Sequence, residues 1–228
     1  MPSAGPIPYL RPRDEGPTGD DGRMVQRMAG DRAAVREFFT ERAARWDARF
    51  PHDGPAYAAA VAALDLSRGA SVLDAGCGTG RALPALREAV GPEGTVLGAD
   101  LTPAMLEEAV GKGRDRDAAL FMADVSQLPL GDGVLDAVFG AGLISHLPGP
   151  ACGLRELARV VRPGGRLGLF HPVGRAALAA RHGREITPDD VRAEPVLGPL
   201  LAAAGWRLVS YADEDERYLA LAAREPAR

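Results

Sequence analysis

The segment VLDAGCGTG, residues 72–80, constrains the fold more than any other stretch of the chain. A short apolar run with strand character enters a turn with glycine at positions 76, 78 and 80, and a pattern of helical spacing follows. Glycines at such a turn permit left-handed backbone and leave no Cβ between the chain and a ligand lying against it. The helix beyond begins with unpaired N–H groups that favour polar or anionic groups. Strand, glycine turn and helix together form the opening unit of a helix-covered parallel sheet, with room at the turn for something nucleoside-like. A loop that only reverses the chain needs none of the features that accompany this one.

The rest of the sequence extends that unit. Short apolar runs at 71–75, 95–100, 119–123, 135–140 and 166–170 read as strands, and the stretches 81–90, 103–110 and 151–161 between them read as helices. Thr102 is the expected cap of the second helix, and Pro163 with Gly164 the expected stop of the third. Another helix is expected beyond Asp189, ending near Gly205, followed by strands at 206–211 and 217–222 that form an antiparallel hairpin at the sheet edge. Upstream, Val35, Phe38, Phe39, Trp46 and Phe50 fall at helical spacings and predict an amphipathic helix over 31–50, and a second helix is expected at 55–66. Residues 1–23 are rich in proline, glycine and charge and read as a disordered tail, leaving 24–228 as one domain: helices at 24–68, then a sheet core at 69–228.

Composition narrows the function. No apolar run approaches the roughly 20 residues of a membrane helix, and the N-terminal residues lack the layout of a secretory signal, so a cytoplasmic location without a membrane partner is expected. Cys77 and Cys152 are the two cysteines; they form neither a disulfide framework nor a zinc motif with the four histidines, and no metal is expected. The formal net charge of −4 argues against nucleic acid as a partner.

Two acids supply the next step. Asp100 ends the second strand, twenty positions after Gly80, where a carboxylate can accept both ribose hydroxyls and would repel a 2′-phosphate. Asp124 ends the third, where it can accept the exocyclic amino group of adenine while the Val125 amide donates to a ring nitrogen. Acids at successive strand ends fit adenosine.

With these residues the sequence resembles the class I S-adenosylmethionine-dependent methyltransferases, particularly the small-molecule group that includes the ubiquinone and menaquinone biosynthesis enzymes, over about residues 35–225. The resemblance implies an α/β fold: a doubly wound, Rossmann-like, seven-stranded and mostly parallel sheet with one antiparallel edge strand. It implies S-adenosylmethionine as cofactor, with Asp74 near the methionine amino group and Gly76, Cys77 and Gly78 along the homocysteine moiety. In the same way Asp100 would hold the ribose, Leu101 flank the adenine, and Asp124 with Val125 meet its edge. The segment 135–148 resembles the fourth-strand motif, whose end around Gly140, Ala141 and Gly142 faces donor and substrate. The implied activity is in-line methyl transfer to a small organic acceptor. Two alternatives stay open: an NAD-dependent oxidoreductase, whose usual GxGxxG loop differs from the GxGxG preceded by Asp74 here, and a protein that binds the donor without transferring its methyl.

For an acceptor that must lose a proton, His146 in GLISHLP is the candidate general base, with the alternative of a pocket wall. His171 after the fifth strand and Trp46 on the first helix are candidate acceptor contacts, with Phe38, Phe39 and Tyr57 as further lid candidates. Arg175, Arg181 and Arg184 surround His182 and read as a solvated helix face, with the alternative that they hold a carboxylate or phosphate on the acceptor, and His52 reads as a turn residue.

Overall fold

The computed structural model describes residues 31–49 and 51–226. The tail expected at 1–23 and the helix position Phe50 therefore lie outside the described residues. The strands are β1 Ser71–Ala75, β2 Thr95–Asp100, β3 Ala119–Met122, β4 Leu135–Ala141, β5 Val161–His171, β6 Trp206–Glu214 and β7 Arg217–Arg224. The helices are α1 Arg32–Arg42, α2 Gly54–Ala62, α3 Leu83–Val90, α4 Pro103–Gly111, α5 Pro150–Val160, α6 Arg175–Arg181 and α7 Glu194–Ala203.

One seven-stranded sheet has the order β3-β2-β1-β4-β5-β7-β6. The pairs from β3 through β5 are parallel, whereas β7 runs antiparallel to both β5 and β6. The chain moves outward from β1 to β3 and then returns to lay β4 on the other side of β1. That switch point opens a crevice beyond the carboxyl ends of β1 and β4, where ligands bind in open α/β sheets. The antiparallel hairpin lies at the sheet edge as expected, but its reversed member is β7, one position inside, and β6 forms the edge.

Strand periodicity divides the core in two. On β4, Val138 packs with Leu73, Leu167 and Leu169 on one face, while Ala137 and Phe139 pack with Val72, Leu64 and Phe170 on the other. Leu154, Leu157, Leu197 and Leu201, all on α5 or α7, fill the first face; Leu83, Leu86 and Val90 of α3 fill the second. Each fully buried side chain of this size contributes about 1.5–3 kcal/mol relative to exposure.

Tertiary contacts adjust several boundaries. The amphipathic segment at 31–50 stays α-helical only to Arg42 and continues as 3-10 turns at Ala43–Arg45 and Asp47–Arg49. There the Trp46 amide bonds three residues back to Ala43 at 3.1 Å, and the tighter winding brings Trp46 edge-on to Phe39 at 5.5 Å. The second helix stops at Ala62 rather than 66, because Asp65 takes a left-handed φ of +52° and turns the chain into β1. The third crossover helix gives way directly to β5 at Val161, before Pro163 and Gly164. Thr102 occupies its cap position without a side-chain cap bond; the Asp100 carboxylate takes the Thr102 amide instead, at 2.8 Å.

Candidate donor and acceptor site

The glycine turn leaves β1 with left-handed φ at Gly76 (+68°), Gly78 (+53°) and Gly80 (+79°). The amides of Gly76 and Cys77 donate to the Ala99 carbonyl at 2.8 and 2.9 Å, fastening the turn to β2. A Cβ on Gly78 would meet nothing nearer than the Met105 sulfur at 3.9 Å, and one on Gly142 nothing within 4 Å, so these two glycines border open space. Cys77 is buried, with its Sγ lying over Gly98 of β2, so what it offers a ligand at this turn is backbone.

Three acids end three adjacent elements. Asp74 on β1 is 1% exposed, and its Oδ1 has no hydrogen-bond partner among the described residues. Burial, reinforced by the Asp100 carboxylate, pushes its pKa up to about 8. A buried, unsatisfied carboxylate oxygen is costly unless a donor arrives, and a ligand ammonium group supplies one. Asp100 accepts from the Gly78 amide through Oδ2 and from the Thr102 amide through Oδ1, both at 2.8 Å. Burial still raises its pKa, with those two amides and the neighbouring backbone opposing the rise. Each of its oxygens keeps a second lone pair for a ribose hydroxyl. Asp124 accepts from the Ser126 amide at 2.8 Å and forms an ion pair with Arg32 of α1. Leu101 is partly exposed beside Asp100, while Val125 is buried.

The N-terminal segment lies across this crevice. Besides the Arg32 pair, Thr79 of the glycine loop donates to Asp47 at 2.5 Å, and Arg81 pairs with Asp53 at 3.4 Å. Arg81 also stands over the Tyr57 ring at 4.9 Å. Burial, with Asp74, Asp53 and Asp47 nearby and Arg81 opposing, lifts the Tyr57 phenol to about 12. Sequence reading missed Arg32, Asp47, Thr79 and Arg81 because their partners lie far away along the chain.

Beyond β4 the surroundings change. Ala141 pairs in register with Phe170, and the Gly142 amide donates to the Phe170 carbonyl at 2.8 Å, so the loop carrying His146 lies beside the end of β5. The half-buried His146 ring packs edge-on against Phe39 at 5.1 Å, and Phe39 in turn against Trp46. Burial, His171 and Arg192 together lower the His146 pKa to about 4. His171 is lowered to about 4 chiefly by burial, with Arg192 adding and the Val173 hydrogen bond opposing. Arg192, not singled out in the sequence, makes two bonds with Asp190, at 3.1 and 2.9 Å. Arg175 pairs with Asp213 at 2.8 Å and is largely enclosed, so it is a packing ion pair rather than part of a solvated face; Arg181 and Arg184 are exposed. His52 is exposed in its turn.

The structure thus gathers the sequence-derived donor residues at the ends of β1, β2 and β3, and Trp46, His146 and His171 on the β4–β5 side. Residues 72–165 match the family model described as a methyltransferase domain. Methyltransferase GfsG of Streptomyces halstedii is 38% identical over 119 residues, covering 50% of this chain and 42% of that protein. The demethylmenaquinone methyltransferase of Shouchella clausii is 37% identical over 108 residues, 46% of each chain. A solved S-adenosylmethionine-dependent methyltransferase from Aquifex aeolicus superimposes with a TM-score of 0.61 at 26% identity, over 73% of this chain and 88% of that one. The chain spans about half or less of the length of these curated relatives. Its fold and motifs are those of the class I S-adenosylmethionine-dependent methyltransferases, and S-adenosylmethionine is the cofactor of that class. Among the described residues no helix is long and apolar enough to cross a membrane.

Proposed function

We propose that this protein transfers a methyl group from S-adenosylmethionine to a small organic acceptor by in-line displacement. The observation that carries the reading is the buried Asp74 oxygen without a partner, set beside open glycine backbone and followed by an acid on the next strand. Asp74 receives the ligand's ammonium group, Gly76, Cys77 and Gly78 lie along its aliphatic part, and Asp100 shares its amide-bound oxygens with the ribose hydroxyls. Leu101, Val125 and Asp124 frame the adenine, the last by exchanging or sharing its Arg32 partner. Bound S-adenosylmethionine supplies an electrophilic methyl on a sulfonium.

The protein's task is then to align a nucleophile with that methyl and keep water out, and orientation alone supplies several kcal/mol. Ala141 and the neighbouring glycines border the transfer path, and Trp46 with Phe39 walls the acceptor. Two neutral imidazoles, His146 and His171, stand on the acceptor side with lone pairs available for a proton. Between His171 and Trp206 the described chain holds only two short helices and their connections, which favours a small acceptor over a macromolecule. We place it in the cytoplasm with neither nucleic acid nor membrane as partner, in keeping with a small acceptor.

The test is calorimetric titration with S-adenosylhomocysteine, with NAD in parallel. Saturable binding of the first and none of the second is expected. Binding of NAD instead moves the protein to the oxidoreductases, and S-adenosylhomocysteine binding with no acceptor found in a labelled-methyl screen leaves a donor-binding protein.

A further inference from the structure

The ends of β5, β7 and β6 gather a second polar cluster on the acceptor side. His171 stands opposite Tyr218 of β7, and Tyr218 opposite Asp213 of β6, so the three side chains share one face of the sheet. Asp213 takes both the amide and the Nε of Arg175 at 2.8 Å. Asp190, 3.9 Å from Arg175, holds Arg192 in a fork, through Nε at 3.1 Å and Nη2 at 2.9 Å, and also accepts from its amide. Tyr211 donates to the Arg192 carbonyl at 2.9 Å and packs edge-on against the Tyr218 ring at 5.8 Å. Backbone and side chain of Arg192 are thereby held against the row that contains Tyr218.

Two donors in this cluster are left over. Tyr218 is 1% exposed, and its hydroxyl has no hydrogen-bond partner among the described residues. Burial, with Tyr211 adding and Arg192 opposing, raises its pKa far above the usual phenol value, so it remains a donor at neutral pH. A donor taken from water and given nothing in return marks a place where an acceptor is missing. The Arg192 guanidinium spends Nε and Nη2 on Asp190, and its Nη1 has no partner among the described residues. The side chain is 14% exposed, and Nη1 is not sealed from solvent. Arg192 acts electrostatically on Tyr218, His171 and His146 alike. At the end of α6 Arg181 adds an exposed cation with no ion-pair partner among the described residues, ahead of Arg184, Glu185 and Asp189 in the exposed connection.

Resting on the proposed methyl transfer, we infer that Arg192 and Tyr218 form an anchor for a carboxylate carried by the methyl acceptor. One carboxylate oxygen accepts from Arg192 Nη1 and the other from the Tyr218 hydroxyl. A planar, singly charged group suits the place, because Asp190 and Asp213 already neutralise Arg192 and Arg175 and would repel a phosphate dianion. The phenol oxygen is covered, so seating the group takes a shift of the connection at 182–193, which is neither helix nor strand. In the sheet β7 lies two strands beyond β4, roughly 10 Å at the usual strand spacing, so the anchored carboxylate is not the group that is methylated. The nucleophile belongs to the other end of the acceptor, on the β4 side.

The test is an NMR titration of the 15N-labelled full chain saturated with S-adenosylhomocysteine, at fixed ionic strength, with formate as the smallest carboxylate and formamide as its uncharged counterpart. The Arg192 Nε–H signal is identified by its absence in Arg192→Lys. Formate should shift it saturably, formamide should not, and inorganic phosphate should bind more weakly than formate. Tyr218→Phe should weaken formate binding by about tenfold with S-adenosylhomocysteine affinity unchanged. Without formate, the same variant should melt at the wild-type temperature or above it, because the hydroxyl it removes has no bond to lose. No response at Arg192, formamide or phosphate matching formate, unchanged formate affinity in Tyr218→Phe, or a lowered melting temperature of that variant overturns the inference. Should Arg192→Lys fail to fold, the comparison of formate affinity and melting temperature between wild type and Tyr218→Phe decides by itself. Failure of the wild type to bind S-adenosylhomocysteine would instead overturn the underlying methyltransferase reading, so the two failures are distinguishable.

Discussion

The proposed donor half and the proposed acceptor half of the crevice are built by different means. On the donor side, neighbouring segments meet through backbone: the Asp100 carboxylate takes two amides, the Ala99 carbonyl takes two more, and glycines leave the space. On the acceptor side the wall is made of side chains from α1, the loops after β4 and β5, and the segment before α7, joined by ring contacts and burial. Backbone built this way holds a ligand common to a whole class of proteins. A wall of side chains can be exchanged residue by residue, and under the proposed function specificity would be set there.

Several changes would break or sharpen this contrast. The largest effect is expected from Asp100→Ala, which frees two amides and removes the ribose acceptor; affinity for S-adenosylhomocysteine should fall by roughly 1–3 kcal/mol in calorimetry. Unaltered affinity would remove Asp100 from the donor site. A Cβ at Gly174 would overlap the Glu214 carbonyl, so Gly174→Ala should lower Tm by several degrees while leaving the donor half intact.

Asp74 yields a pH signature confined to the donor half. Its pKa lies above the ordinary carboxylate value in the folded protein, so its contribution to stability is full below about pH 4 and is lost as pH rises towards 8. Asp74→Asn should remove that slope and raise Tm of the ligand-free protein at pH 8 by about 2–4 °C or more, while weakening binding of the ligand ammonium. In the wild type at pH 7, S-adenosylhomocysteine binding should release protons, visible as a dependence of the calorimetric heat on buffer ionisation enthalpy. Heat independent of buffer would mean that Asp74 stays in one protonation state.

On the acceptor side, His146→Ala should slow methyl transfer by about tenfold, less than the lower end of general-base effects, with donor affinity intact. A loss of a thousandfold would make His146 the general base. Smallest is Arg32→Ala. Its side chain is 55% exposed, so the pair with Asp124 is worth at most about 1 kcal/mol, and freeing the carboxylate should tighten S-adenosylhomocysteine binding by no more than roughly fivefold. Weaker binding would show that Arg32 serves the donor instead of competing with it.

Much of the donor half was legible beforehand because its determinants are local. The strands at 71–75 and 95–100 and the glycines between them were read at their observed positions. Asp100 and Asp124 follow from apolar runs that stop at or just before an acid, whereas Asp74 was singled out by the resemblance to the methyltransferases. The Arg32–Asp124 pair joins residues 92 positions apart, and nothing around either residue marks the other. The break of the first helix at Arg42 was equally invisible, since its apolar spacing continues through Trp46.

The sequence by itself determined the sheet, its crossovers and the carboxylates at the strand ends, because hydrophobic periodicity and glycine stereochemistry act over a few residues. Only the tertiary structure decided which carboxylate oxygen stays unpaired and which arginines are already neutralised. Those outcomes depend on burial and on partners brought together by folding, and the chemistry of the crevice follows from them.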